Sequence, residues 1–161
     1  GPFIQEEYRR VEELAGVKYG EDFLWHINNP DKSDWVMNSE KPAIALCIFK
    51  ELYPERQLEF AGDLQYALNY EGRDLDDDEA YRHLPEKYGI DPDLFYTKLK
   101  SEAYKEQAYY EFALMKQLQV TGYPTVFIQA GEIKFVMVAR GYTEHTELRE
   151  RIENVLKETG T

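Results

Sequence analysis

Apolar residues recur every three or four positions through most of the first 118 residues, and this spacing predicts a series of helices. The predicted helices span approximately 3–15, 20–28, 39–52, 55–70, 77–88, 92–99 and 101–118. Gly16 and Pro54 end the first and third of these helices, because glycine and proline are the strongest local helix breakers. Ser39 is the predicted N-cap of the third helix.

The pattern changes after residue 118. The runs "TVFIQ" and "IKFVMVA" are rich in β-branched and aromatic residues, and the short segment "AGE" separates them. They predict a β-hairpin in which Gly131 takes the left-handed position of the loop. A last helix follows at about 143–157, with Thr143 as its N-cap. The sequence therefore predicts two parts, a helical region over 1–118 and a β-β-α region over 119–161.

The two predicted strands pose a structural problem. Residues 126–128 and 135–138 are apolar in succession, which is typical of strands covered on both faces. Two strands alone are marginal in water, and helices cannot satisfy the open backbone edges of a sheet. We therefore expect the sheet to be incomplete in these residues, with its further strands supplied by upstream residues or by a second subunit.

Composition excludes several classes of function. The net charge of −12 repels phosphate backbones, so neither nucleic acid nor an anionic membrane surface is an expected partner. No window has the roughly 18 consecutive apolar residues that a membrane span needs. The acidic segment "DLDDDE" fails the calcium-loop template, because Glu79 and Pro85 occupy the positions that need glycine and glutamate. We expect no metal site and no cofactor.

The residue types that usually carry catalysis are sparse. The histidines His26, His83 and His145 lie far apart and at no metal-binding spacing, so no role is assigned to them. The only cysteine, Cys47, lies in the apolar run "KPAIALCIFKEL". A single cysteine forms neither an intrachain disulfide nor a zinc site, and in such a run it is expected to act as a small buried hydrophobe rather than as a reactive thiol.

The segment "VTGYPTVFI" contains a proline where a strand begins, although proline cannot donate to a sheet. One interpretation is that Pro124 only ends the preceding helix. The other is a cis Tyr123–Pro124 bond in a turn that Gly122 permits, with the backbone N–H and C=O of Tyr123 facing outward. An extended peptide could pair with those groups as a short additional strand.

The helix ending in "LQVTGYPTVFIQ", the hairpin, Gly141-Tyr142 and the last helix together resemble the C-terminal half of a thioredoxin fold. The preceding helices resemble the helical insertion of the DsbA family, and the nearest resemblance is to its cytosolic FrnE-like branch. The segments "YYEFALMKQLQVTGYPTVFIQAGE" and "EKPAIALCIFKEL" carry it. The resemblance implies an α/β, mostly helical fold with an incomplete sheet, and a bacterial, cytoplasmic thiol–disulfide oxidoreductase.

In that family a Cys-x-x-Cys pair at a helix N-terminus supplies the attacking thiolate, and a cis-proline loop opposite it holds the substrate. The resemblance assigns Gly122, Tyr123, Pro124 and Thr125 to the loop, with peptide or protein thiols as substrate. No Cys-x-x-Cys is present, so no catalytic residue is expected here. The N-terminal β-α-β unit is also missing, either because the sequence starts inside a longer oxidoreductase or because it is a natural half-fold.

Two other functions remain open at this point. The related glutathione-linked branch, with the kappa glutathione transferases and hydroxychromene-carboxylate isomerases, shares the helical insertion and the proline loop. In that branch a serine or similar residue takes the place of the cysteines, and it would also lie upstream of these residues. The third reading is a peptide-binding or assembly module without chemistry, in which a homodimer completes the open sheet.

Overall fold

The structure is a computed structural model that describes the backbone of residues 2–160 and the side chains of residues 4–160. Helices joined by turns and loops extend up to residue 117, and a hairpin and a final helix follow. The elements are α1 (Pro2–Ala15), α2 (Glu21–Asn28), α3 (Glu40–Leu52), α4 (Gln57–Asn69), α5 (His83–Lys87), α6 (Pro92–Leu99), α7 (Glu102–Gln117), β1 (Thr125–Gln129), β2 (Phe135–Arg140) and α8 (His145–Thr159). The predicted mostly helical α/β class is confirmed.

The chain packs as two compact units, Gly1–Tyr110 and Glu111–Thr161, here called the helical unit and the hairpin unit. The division falls inside α7. The side chains of Tyr104 and Ala108 are buried in the helical core, and the later turns of α7 belong to the hairpin unit. The domain division predicted at 118/119 marks the end of the helical sequence pattern, and it stays a prediction.

The core of the helical unit is an aromatic cluster between α3, α4 and α6. Phe60 stacks on Phe49 with ring centroids 4.2 Å apart and an interplanar angle of 5°. Tyr88 meets the ring of Phe49 edge-on, and Phe95 meets that of Phe60. All four side chains are buried. The helical stripes of the sequence converge here because each helix buries its apolar face against the others.

Tyr81 is built into this core, and Asp63 lies half-buried beside it. Tyr81 is fully buried, and its hydroxyl donates to the Leu75 carbonyl at 2.7 Å. Burial raises the pKa of Tyr81 well above its usual value. Asp63 accepts hydrogen bonds from Lys87 and Tyr88. Burial opposes ionisation of Asp63, but these two bonds hold the pKa of its carboxyl below the usual value.

The start of α2 lies directly against the end of α4. The Gly20 N–H donates to the Asn69 carbonyl at 2.8 Å, and a Cβ atom placed on Gly20 would be 1.9 Å from the Tyr70 carbonyl oxygen. Gly72, with φ +69°, approaches Asp22 in the same way. This α2–α4 junction therefore depends on the absence of a side chain at two positions.

In the hairpin unit, β1 and β2 pair antiparallel from Thr125↔Arg140 to Gln129↔Phe135. A bulge between Val126 and Phe127 leaves Val138 as the extra residue on β2. Helix α8 packs on β2, where Arg151 donates to the Val138 carbonyl at 3.0 Å. Within residues 2–160 these two strands form the whole sheet, so the prediction of an incomplete sheet is confirmed.

Several predicted details of the helices were wrong. Ser39 makes no side-chain cap bond; instead Asn38 accepts from the Glu40 N–H at 3.0 Å. The single helix predicted over 77–88 is a short 3-10 turn followed by α5. Asp77 caps that turn as expected from its acidic start. Both errors arise where neighbouring polar residues compete for the same backbone donors.

The loop predictions for the hairpin unit were also wrong in part. Gly131 does not have a positive φ, whereas Gly141 does, with φ +80°. Thr143 is not the N-cap of α8, because the helix begins one residue later, after Glu144. The Thr143 hydroxyl contacts the Gly141 carbonyl instead. The left-handed residue thus lies after β2 and not between the strands.

Candidate functional site

The candidate site begins at the end of α7, which closes with a hydrogen-bonding pattern that turns the chain sharply. The Gln119 N–H bonds to the Lys116 carbonyl at 3.0 Å, and the Val120 N–H bonds to the Met115 carbonyl at 3.2 Å. Gln119 has φ +55°. These are the two bonds of a Schellman motif, whose left-handed position is usually glycine. The motif directs the chain from the helix into residues 121–125.

Replacing Gln119 by glycine should stabilise the protein by about 0.5–1 kcal/mol, because glycine adopts a left-handed conformation without a Cβ penalty. Urea unfolding measured by circular dichroism would test this expectation. The matched control is Gln107→Gly, an exposed position inside α7, where the same change should cost about 1 kcal/mol. A destabilisation at both positions would contradict the assigned role of Gln119.

The predicted site residues form one short loop before β1. The Tyr123–Pro124 peptide bond is cis, the conformation that the sequence analysis expected. The Thr125 hydroxyl donates to the Gly122 carbonyl at 2.7 Å, and the Gly141 N–H donates to the Pro124 carbonyl at 2.7 Å. These bonds fix the loop to itself and to the end of β2. We call residues 121–125 the proline loop.

Gly122 does not have the special backbone conformation that was predicted for it. Its φ lies outside the left-handed region, and a Cβ atom there would meet no atom within 4 Å. The turn is instead produced upstream, by the left-handed Gln119. The prediction for Gly122 was wrong because it attributed the turn to this glycine and not to Gln119.

Tyr123 is an exposed residue of the proline loop. Its side chain is 76% exposed, and its hydroxyl lies against the Met115 sulfur. Within residues 2–160, neither the N–H nor the C=O of Tyr123 takes part in a backbone hydrogen bond. An exposed residue with an unused donor and acceptor can bind an extended peptide as an additional strand.

Three residues that the sequence did not assign to the site hold this loop in place, namely Thr121, Arg140 and Gly141. The Arg140 guanidinium bonds to the Thr121 hydroxyl, which attaches the start of the loop to β2. Gly141, with its positive φ, brings its N–H to Pro124. A polar residue ending an apolar strand and followed by glycine was the available signal for Arg140 and Gly141. Thr121 gave no such signal.

A comparison of the sequence with known families decides the classification. Residues 13–152 match the model of a family described as the DSBA-like thioredoxin domain. The chain belongs to the DSBA-like thioredoxin domain family. Helices α2 to α7, the proline loop and the hairpin lie within the matched range.

The DSBA-like fold is also found in a solved structure. A putative protein disulfide isomerase from Nitrosomonas europaea superimposes with a TM-score of 0.85. The match covers 98% of this chain and 74% of that one, at 17% sequence identity. At this identity the likeness concerns the fold alone. No curated protein matches the sequence significantly.

The single cysteine of this DSBA-like chain lies away from solvent. Cys47 is 2% exposed in the middle of α3, among the apolar side chains of the helical core. A thiol buried in apolar surroundings is disfavoured as a thiolate. The expected structural position of Cys47 is confirmed, and the residue offers no accessible nucleophile.

Two of the histidines and the acidic segment of the DSBA-like chain have local partners. His26 stacks on Trp35 at 3.9 Å and shares a hydrogen bond with Ser33. Burial lowers the pKa of His83. In the acidic segment, a hydrogen bond from Lys41 holds the pKa of the Asp78 carboxyl below its usual value.

The described part of the chain has neither a cluster of metal ligands nor a helix suited to crossing a membrane. Among residues 2–160, no group of three His, Cys, Asp or Glu side chains is arranged to hold a metal ion. In the same residues, no helix combines the length and the apolar character of a membrane span.

Proposed function

We propose that this chain is part of a thiol–disulfide oxidoreductase of the FrnE-like branch, acting on peptide or protein thiols. The proline loop forms the part of the active site that binds the substrate. The attacking thiolate comes from a Cys-x-x-Cys pair outside these 161 residues, because the sequence contains only Cys47 and that thiol is buried. The branch further implies a bacterial, cytoplasmic protein.

The observation that carries this proposal is the unused backbone of Tyr123. An extended substrate segment would donate an N–H to the Tyr123 carbonyl and accept from its N–H, as one step of an antiparallel ladder. Such a pair would hold a substrate cysteine beside the loop. A thiolate then attacks one sulfur of a disulfide, a mixed disulfide forms, and the other sulfur leaves as a thiolate.

The residues around the loop make it a firm support for a substrate. The Pro124 carbonyl accepts a hydrogen bond from the Gly141 N–H, and the Gly122 carbonyl accepts one from the Thr125 hydroxyl. Arg140 holds Thr121. A site held in place before the substrate arrives loses less conformational entropy on binding. Because its neighbours are held in place, Tyr123 is the residue of the loop whose backbone N–H and C=O are available to a substrate.

The proposal predicts that these 161 residues alone reduce insulin with dithiothreitol no faster than dithiothreitol by itself, because they present no accessible thiolate. The assay follows insulin turbidity. A Cys47→Ser variant is the matched control and should give the same rate. A rate well above background for the unmodified chain that disappears in Cys47→Ser would overturn the proposal.

A second candidate is an assembly module without chemistry. It is favoured by the two outer edges of the hairpin, which have no strand partner in the described residues, since open edges recruit further strands. In this candidate a homodimer completes the sheet. Sedimentation of the same inactive sample separates the two: twice the chain mass supports the dimer, and a monomer excludes it.

A further inference from the structure

A groove of about 280 Å³ lies in the helical unit, between α3, α4 and the two loops beside them. Its apolar lining consists of side chains from both helices and from the loop that follows α4, namely Pro42, Leu46, Ala61, Leu64, Leu68 and Leu75. Leu64 and Leu75 belong to the buried core. The floor of the groove is therefore as firmly packed as the core itself.

One side of the groove has two apolar residues that are open to solvent. Val36 is 70% exposed and Met37 54%, and both line the groove from the loop before α3. Consecutive exposed apolar residues beside an apolar cleft mark a surface used for binding. The unbranched side chain of methionine adapts to differently shaped partners.

Two acidic residues, Asp74 and Asp76, also line the groove. Neither has a salt-bridge partner among the described side chains. The Lys41 ammonium group is bonded to Asp78 at 2.8 Å and to the backbone carbonyl of Asp76. Asn38 and Ser39 add polar atoms at the rim. The groove thus combines an apolar floor with an uncompensated negative edge.

We propose that this groove binds a basic–apolar segment of a partner polypeptide. One or two aliphatic side chains enter between α3 and α4, and a flanking Lys or Arg reaches Asp74 and Asp76. This inference does not depend on the proposed oxidoreductase function, because every residue that carries it lies in the helical unit. It adds a docking surface for a protein partner, such as a substrate, to the chain.

Size and charge both favour this occupant over others. The volume is just below the roughly 300–1,000 Å³ of ordinary small-ligand pockets, so aliphatic side chains fit and a large cofactor does not. A second copy of this chain would bring a net charge of −12 towards an edge that is itself acidic, which opposes association. A basic segment carries the complementary charge, which removes this repulsion and speeds binding.

Fluorescence anisotropy of the 161-residue chain with a labelled peptide tests the proposal. The probe is a dodecapeptide with two leucines flanked by lysines and arginines. One control peptide carries glutamates at the basic positions, and a second carries serines in place of the leucines. We expect saturable binding of the probe that weakens as salt is raised to about 0.15 M, and at least tenfold weaker binding of both controls.

Two variants place the binding in the groove. Asp74→Asn with Asp76→Asn should weaken binding of the probe about threefold to tenfold, since each exposed ion pair contributes little. Asparagine at residue 74 keeps the side-chain oxygen that accepts a hydrogen bond from the Asp76 N–H. The charge-matched control, Glu106→Gln with Glu158→Gln, changes two exposed residues that do not line the groove and should bind as the unmodified chain does. Ala61→Phe, which fills the groove, should weaken binding at least tenfold.

Each result decides the proposal. Absence of saturable binding up to about 1 mM peptide overturns it. Equal binding of the glutamate peptide, or equal weakening by both charge-removing pairs, overturns the role of Asp74 and Asp76. Full binding by a folded Ala61→Phe variant, with an unchanged melting temperature, excludes the groove. Binding that is lost only in the groove variants supports the proposal.

Discussion

Replacing Gly20 by alanine is expected to destabilise the helical unit by about 3 kcal/mol, the upper end of the usual cost of overpacking. Small proteins have only about 5–15 kcal/mol of stability in total, so the variant should unfold at a much lower urea concentration. The added methyl group would lie 1.9 Å from the Tyr70 carbonyl oxygen and 2.8 Å from its carbon. Real Cβ atoms do not approach other atoms so closely.

The backbone at this junction has little freedom to yield. Gly20 donates to Asn69, so moving it away breaks a hydrogen bond between the two segments. Its φ of −77° and ψ of 156° are ordinary for any residue. The expected loss therefore comes from contact alone and not from backbone strain. This separates Gly20 from Gly72, whose positive φ adds a second penalty.

Gly62→Ala is the matched control, because it is the same chemical change on the exposed side of α4. A Cβ atom at Gly62 meets nothing within 4 Å, and alanine is the better helix former, so this variant should gain about 1 kcal/mol. Tryptophan fluorescence during urea unfolding reports both changes, since Trp25 and Trp35 lie in the helical unit. Equal effects of the two substitutions would contradict the role of the α2–α4 junction.

Gly20 also shows where sequence reasoning ends. The helix stripes predicted α1 to α4 and α6 to α8 because burying one face is a local property that repeats along the chain. The requirement for glycine at residue 20 depends on Tyr70, which is 50 positions away in the sequence, and on how closely two segments pack. No pattern within a short window contains that information.

The proline loop could be predicted from the sequence because its signal is local, and its role as a site stays a prediction. Pro124 interrupts a strand pattern, and that local conflict identified the loop. What holds the loop was found only in part. Gln119 takes a conformation that usually indicates glycine, and Arg140 reaches Thr121 across the chain. Such contacts depend on the hairpin register, which a bulge shifts.

Truncating Phe60 to alanine is expected to cost about 3–5 kcal/mol, the range for removing a fully buried aromatic side chain. Phe60 is 0% exposed and lies parallel to Phe49 at 4.2 Å, with Tyr88 and Phe95 against its edges. Alanine would leave a cavity between α3, α4 and α6 that these rings cannot fill without losing their own contacts.

Leu58→Ala is the control for Phe60→Ala, because it also truncates a large apolar side chain of α4. Leu58 is 85% exposed, and its loss should change the free energy of unfolding by no more than about 0.5 kcal/mol. Urea unfolding followed by tryptophan fluorescence measures both. A loss below about 1 kcal/mol for Phe60→Ala would mean that the ring contributes little to the core.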